Sequence, residues 1–242
     1  MKLQEIIDFL DALSPFALQE KWDNSGLNVG ELSREVSQIV VSLDIDAAMI
    51  DEAEEGTLFV VHHPLIFGNL PRLDFAKYPA NLLEKMILKQ QSLVAMHTNF
   101  DQTHLNQYVF EKVLGFSLES QETFVCKAKG IWEYSELINH LKKKLHLSAV
   151  RVVGKKEQIR SIALTTGSGA SLIDQIEADC FLTGDIKYHD AMKAMSEDLM
   201  MVDIGHYESE SFFAEIMAEK LKVLPLLVII ADSKNPFHIE TI

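Results

Sequence analysis

Cysteine is almost missing from this chain. Two residues, Cys126 and Cys180, are all that its 242 positions hold, and neither stands in a CxxC pair. That excludes a disulfide framework and a thiolate metal cluster, and it is the usage of a reducing compartment. Basic residues are scarce too. There are 22 Lys and Arg against 36 Asp and Glu, a net charge of −14. A sequence-independent nucleic-acid binder needs a basic footprint, so nucleic acid is not an expected partner. Long hydrophobic runs are lacking. The stretch "VLPLLVIIA" at 223–231 falls far short of the ~20 residues that cross a bilayer. The opening "MKLQEIIDFLDAL" carries acidic residues at helical spacing, where a signal peptide has a basic start and an unbroken apolar core. No membrane partner is expected, and the expected location is cytoplasmic. No GxxxxGK[ST] loop occurs, so any phosphate must be held by metals and scattered basic groups.

What is present is a large apolar fraction, 48%, and an internal repeat. "IVVSLDIDAAMIDEAEEGTLFVVH" at 39–62 aligns without a gap to "IALTTGSGASLIDQIEADCFLTGD" at 162–185. Ile39, Ala47, Ile50, Asp51 and Glu54 meet Ile162, Ala170, Ile173, Asp174 and Glu177. Each copy reads as strand, helix, strand, with apolar residues at helical spacing between two short apolar runs. Each continues with a further helix and strand. Continuous apolar strands alternating with helices predict an α/β fold whose sheets are covered on both faces. The expected organisation is a first α/β lobe over 1–115, a connector over 116–154 and a second lobe over 155–242. In the connector, "WEYSELINHLKKKLHL" predicts an amphipathic helix and "AVRVVG" a strand.

Strand ends in α/β sheets gather at one edge, where ligands bind. Here those ends carry His62 and His63, His97, Thr183–Asp185 and His206. In "VVHHPLIF" (60–67), Pro64 has no amide hydrogen to donate and closes the strand. Neighbouring side chains on a strand face opposite ways, so His62 and His63 are expected to diverge and to serve different ions. His97 and Asp101 are four apart in "HTNFD", as are His206 and Glu210 in "GHYESE". Residues four apart share a helix face, and Gly205 lets backbone approach closely. The pooled set is His62, His63, His97, Asp101, His206 and Glu210. Imidazole and carboxylate suit zinc, manganese, iron or nickel without a thiolate. Six ligands exceed one catalytic zinc and suit two divalent ions with a bridging carboxylate. His104, His140, His146 and His238 lack this context and read as surface residues.

Five stretches together resemble a known family: "WDNSGLNVG" at 22–30, "VVHHPLIF" at 60–67, "HTNFD" at 97–101, "TGDIKYHDA" at 183–191 and "GHYESE" at 205–210. The chain is similar to the GTP cyclohydrolase 1 type 2 homologues, also called NGG-one-interacting-factor-three-like proteins. The resemblance implies two similar intertwined α/β lobes with mixed sheets and a dinuclear metal centre in the cleft between them. It implies His62, Asp101 and Glu210 on one metal and His63, His206 and Glu210 on the other, with Glu210 bridging. His97 matches a position at the same site, and whether it ligates directly is left open. A ring-shaped homohexamer is also implied.

The remaining motif residues have readings of their own. Asp23, Asn24 and Ser25 before Gly26 make a turn, and Trp22 can offer a stacking face to a flat ring. Asp185, Lys187 and His189 are candidates beside the metals. His189 is the candidate proton carrier, because imidazole exchanges protons near neutral pH. Two functions fit. One is a metal-dependent hydrolase acting on GTP, with activated water attacking C8 of guanine, or on another nucleotide. The other is a non-catalytic metal-binding scaffold or regulatory interaction protein.

Overall fold

The apolar runs of the repeat become strands, and their lengths follow the runs. The computed structural model describes residues 1–240, so Thr241 and Ile242, the end of the span expected for the second lobe, lie outside the described residues. Among the described residues the strands are β1 (Gly26–Val29), β2 (Gln38–Ser42), β3 (Leu58–Val61), β4 (Ser92–Ala95), β5 (Ser120–Glu122), β6 (Val125–Glu133), β7 (Arg151–Val153), β8 (Gln158–Leu164), β9 (Cys180–Thr183), β10 (Met200–Asp203) and β11 (Leu227–Ile230). The chain forms two units. The first takes Met1–Phe100 and Phe213–Lys234; the second takes Asp101–Phe212 and the residues from Asn235 on. No helix of the described residues is long and apolar enough to cross a membrane.

The first unit holds a mixed sheet in the order β1-β4-β3-β2-β11. β11, β2, β3 and β4 run parallel, and β1 lies antiparallel on β4. All four side chains of β3, Leu58 to Val61, are fully buried, as strands covered on both faces require. The helix Ala47–Glu52 joins β2 to β3 and is capped by Asp46, whose carboxylate accepts from the Met49 amide. The helix Ala80–Leu88 joins β3 to β4 and packs Leu82, Leu83 and Met86 into the core around Phe59 and Val61.

The second unit repeats that plan. Its sheet runs β5-β6-β8-β9-β10-β7, with β8, β9 and β10 parallel. β6 lies antiparallel on β8, β5 on β6, and β7 on β10. Segment 116–154 supplies β5, β6, β7 and the helix Tyr134–Lys144. That helix buries Leu137 and Leu141 and places Lys142–Lys144 in its last turn, where the helix dipole favours cations. Trp132 lies in β6, ahead of this helix.

Three differences from the sequence reading bear on the site. The segment 170–175, expected to be α-helical, is a 3-10 helix. Ile39 pairs with Leu58 but Ile162 pairs with Cys180, so the second crossover is one residue shorter. A 3-10 turn climbs ~2.0 Å per residue against ~1.5 Å for an α turn, which suits the shorter link. Second, Leu58 pairs with Ser92 while Cys180 pairs with Met200, so the first unit carries fourteen extra residues between its second and third parallel strands. That surplus holds "HHPLIF". Third, β3, β4 and β10 end at Val61, Ala95 and Asp203, before their histidines.

Burial pushes the thiols of Cys126 and Cys180 up to about 12, with Glu111 and Asp179 respectively adding to the effect. Both cysteines are free and buried. At mildly alkaline pH neither thiol should be alkylated by iodoacetamide in the folded chain, and both should react in denaturant, as counted by intact mass. Rapid labelling of Cys180 without denaturant would contradict a buried β9.

Candidate metal centre

β3 stops at Val61 because the next two amides leave the ladder. The N–H groups of His62 and His63 both donate to the Leu43 carbonyl, at 3.1 and 3.2 Å. The alternation expected of a strand therefore does not govern these side chains. Instead of diverging, the two rings lie with centroids 5.0 Å apart. His97, two residues past β4, brings a third ring to 5.1 Å from His62 and 5.5 Å from His63. One potential ligand atom from each of the three lies within 4.8 Å of the others, all within the first unit.

The far nitrogen of each ring has an oxygen partner. His62 Nδ1 lies 2.9 Å from the Met96 carbonyl, His63 Nδ1 2.8 Å from Asp44 Oδ1 and His97 Nδ1 2.7 Å from Asp23 Oδ1. Carbonyl and ionised carboxylate oxygens only accept, so each Nδ1 carries a proton, and in the neutral ring the lone pair is then on Nε2. This is the arrangement that orients and strengthens a metal-ligating imidazole.

The turn "WDNS" is the support for His97. The Asp23 side chain is fully buried and accepts from His97, Ser25, the Asn24 and Thr98 amides and the Thr98 hydroxyl. Burial pushes the Asp23 carboxyl up, but the hydrogen bond and charge of His97, the Thr98 hydrogen bond and the Asn24 amide together hold it well below the usual carboxylate range. Asn24 donates to the Ile66 carbonyl at 2.7 Å, tying this turn to the loop after the histidine pair. Trp22 and Phe67 stand 57% and 59% exposed, edge-on to each other at 5.8 Å. Both rings also lie edge-on to His97, at 6.0 and 6.3 Å.

The second unit holds Asp101, His206 and Glu210. Asp101 is buried and opens the π-helical turn Asp101–Leu105, in a part of the chain where π turns alternate with α turns over 98–113. π turns widen the local helix and recur at functional sites. His206 and Glu210 share a face of the helix His206–Glu210, as their spacing predicts, with Nε2 and Oε2 at 2.9 Å. His206 Nδ1 lies 2.7 Å from Asp185 Oδ2, the fourth imidazole with an oxygen acceptor on that nitrogen. Gly167, at φ +63°, makes room here: a Cβ on it would collide with the Glu210 carboxylate. Its N–H donates to Ser209 Oγ at 3.0 Å. Lys187 precedes the helix Tyr188–Ser196, and His189 lies exposed in its first turn with its ring 5.4 Å from Tyr188.

The six metal candidates thus fall three to each unit, His62, His63 and His97 together in one, His206 and Glu210 in contact in the other. Sequence reasoning did not single out Asp44, Gly167 or the Met96 carbonyl. Asp44 had a signal, since it stands just past β2 at the sheet edge where the histidines were sought. The other two had none, because a backbone carbonyl and a steric gap leave no mark on residue type.

Asp44 is half exposed, whereas Asp23 is fully enclosed. Asp44→Ala should leave the urea midpoint near that of the parent and weaken metal binding ~10–100-fold, the usual cost of losing an imidazole's hydrogen-bond partner. Asp23→Ala should lower both, since it also strands the Asn24 and Thr98 amides. Isothermal titration with zinc and urea melts measure the two quantities separately.

Comparison with known proteins agrees along the whole chain. The family model described as Duf34/NIF3 (NGG1p interacting factor 3) matches residues 1–236. A Campylobacter jejuni protein named "GTP cyclohydrolase 1 type 2 homolog" is 48% identical over 240 residues, covering 98% of this chain and 99% of its own. A Helicobacter pylori protein named "GTP cyclohydrolase 1 type 2" is 41% identical over 239 residues, covering 98% of each. Among solved structures, Staphylococcus aureus hypothetical protein SA1388 superposes with a TM-score of 0.84 at 25% identity over 99% of each chain. The protein ybgI, described as of unknown function, gives 0.85 at 23% identity over 98% of this chain and 100% of its own, a likeness of fold alone. With a family model spanning nearly every residue and relatives this similar over their full length, the chain belongs to the Duf34/NIF3 family.

Proposed function

We propose that this chain is a hydrolase that uses two divalent ions per subunit to cleave GTP or another nucleotide. In this reading His62, Asp101 and Glu210 hold one ion and His63, His206 and Glu210 the other, with Glu210 shared. The observation that carries it is the gathering of ring nitrogens: His62, His63 and His97 each set Nδ1 against an oxygen acceptor and have Nε2 as a potential ligand, and His206 sets its Nε2 2.9 Å from Glu210 Oε2. The names of the Campylobacter and Helicobacter relatives support the choice of GTP. The ions, zinc, manganese, iron or nickel by donor type, supply an acidified water and a Lewis acid for the electrophile.

The chain's own residues do the rest. Asp23, Asp44 and Asp185 accept from Nδ1 of the imidazoles they bond and fix how those rings are aimed. Gly167 leaves the Glu210 carboxylate its place. Trp22 and Phe67 offer aromatic faces beside His97 for a flat base. His189, exposed beside Tyr188, carries a proton between substrate and solvent in this scheme. A homohexameric assembly belongs to the same proposal.

The test is metal analysis of purified protein together with turnover across a nucleotide panel in zinc or manganese. Close to two ions per chain and hydrolysis of GTP or a related nucleotide are expected, both depressed in Glu210→Gln. Metal binding with no turnover above that variant would favour a metal-binding scaffold with an interaction role. A parent chain that binds no metal would overturn both readings.

A further inference from the structure

We infer that β11 is an interface strand, whose open edge pairs antiparallel with the β11 of a second copy of this chain about a two-fold axis at Ile229. β11 closes one end of the first unit's sheet, with β2 on one side and, among the described residues, no strand on the other. Its four residues, Leu227, Val228, Ile229 and Ile230, are all apolar, yet Leu227 is 62% exposed and Ile230 54%. Val223, just ahead of the strand, is exposed as well. Natural sheets guard a bare edge by shortness, charge, a bulge or a covering element. β11 is short, but none of its residues is charged, its register on β2 is unbroken and its side chains are left in the open. Such an edge is a template for another strand.

The direction of the open backbone groups selects the partner. The Ala231 amide donates to the Val41 carbonyl, on the β2 side. A residue's N–H and C=O point to the same side of a strand, and successive residues alternate, so Ile229 and Leu227 also turn theirs toward β2. Val228 and Ile230 therefore present N–H and C=O to the open edge. Set antiparallel with Ile229 opposite the Ile229 of the second copy, the strand places Val228 of each copy opposite Ile230 of the other. Both become hydrogen-bonded pairs, and each open donor and acceptor of β11 finds a mate. The strand is thus its own complement, as a two-fold interface requires. Valine, isoleucine and leucine then meet across the strands and cover what each copy leaves exposed. Charge agrees with a second copy. Lys220, Lys222 and Lys234 outnumber Glu219 and Asp232 around the strand, in a chain whose net charge is −14, so two copies meet here without the repulsion of two acidic surfaces. The contact uses none of the metal candidates and stands or falls apart from the hydrolase reading. It gives the proposed homohexamer one of its contacts.

The test is cysteine cross-linking of the full chain. Opposed residues of a non-hydrogen-bonded antiparallel pair have Cα atoms ~4.5 Å apart, within reach of a disulfide. In Ile229→Cys, mild oxidation should join two chains and a reductant should release them; Cys126 and Cys180 are buried and stay out of the reaction. In Ile230→Cys the two thiols lie on a diagonal of ~7–8 Å, so cross-linking should be at least ~10-fold slower. Leu227→Lys with Ile229→Lys should halve the mass of the assembly in sedimentation, with circular dichroism matching the parent. No joined chains from Ile229→Cys, or equal rates from the two cysteine variants, would overturn the inference. An unchanged mass in a folded lysine variant would do the same. Should the lysine variant not fold, the two cysteine variants decide.

Discussion

An imidazole can ligate a cation only through a nitrogen that carries a lone pair. In this chain one kind of hydrogen bond decides which nitrogen that is. His62, His63 and His97 each set Nδ1 against an oxygen acceptor, which in the neutral ring puts the lone pair on Nε2, whereas His206 sets Nδ1 against Asp185 and Nε2 against Glu210. The acceptors differ in a way burial explains. His62 is fully buried and uses a neutral backbone carbonyl, which adds no charge to the interior. His63 and His206, partly exposed, use the partly exposed carboxylates of Asp44 and Asp185. His97 is the exception, since Asp23 is enclosed; five donors around that carboxylate offset what burying a charge costs.

The two units use one plan of three parallel strands twice and depart from it around the residues that could hold a metal. In the first, the crossover before β4 is lengthened, and the extra loop carries the histidine pair away from the strand. Histidines dominate its donor set. In the second, the links are tighter and glycine does the work that loop length does in the first. A side chain at Gly184 would meet the Gly167 carbonyl and the His206 amide, and one at Gly167 would displace the Glu210 carboxylate. Close backbone approach there brings a carboxylate and an imidazole into contact from one short helix. Repetition supplied the framework; the departures from it hold the candidate ligands.

Much of this was legible in the residues. The strands β2, β3, β8 and β9 fall on the apolar runs that predicted them, and the helices Ala80–Leu88, Tyr134–Lys144 and Tyr188–Ser196 on the periodic stretches. The pairing of His206 with Glu210 followed from a spacing of four on a helix. The ungapped repeat misled by one residue at β9, because a 3-10 turn covers the same distance with less chain. The expected divergence of His62 and His63 failed because the strand ends at Val61, two residues before the histidine pair expected to close it, and the period of two holds only while the ladder continues. That β11 pairs with β2 could not be read from either segment, since parallel neighbours far apart in sequence leave no local signal.

What the sequence by itself determined is residue type and local period: which stretches bury, where strands give way to loops, and that histidines and acids collect at those ends. What only the tertiary structure decided is orientation. His97 takes its direction from an aspartate 74 positions earlier, and His62 from a carbonyl 34 positions later. Such bonds are made when the chain closes on itself, so no window of sequence contains both partners, and which way each ring is turned is settled only after the sheet has assembled.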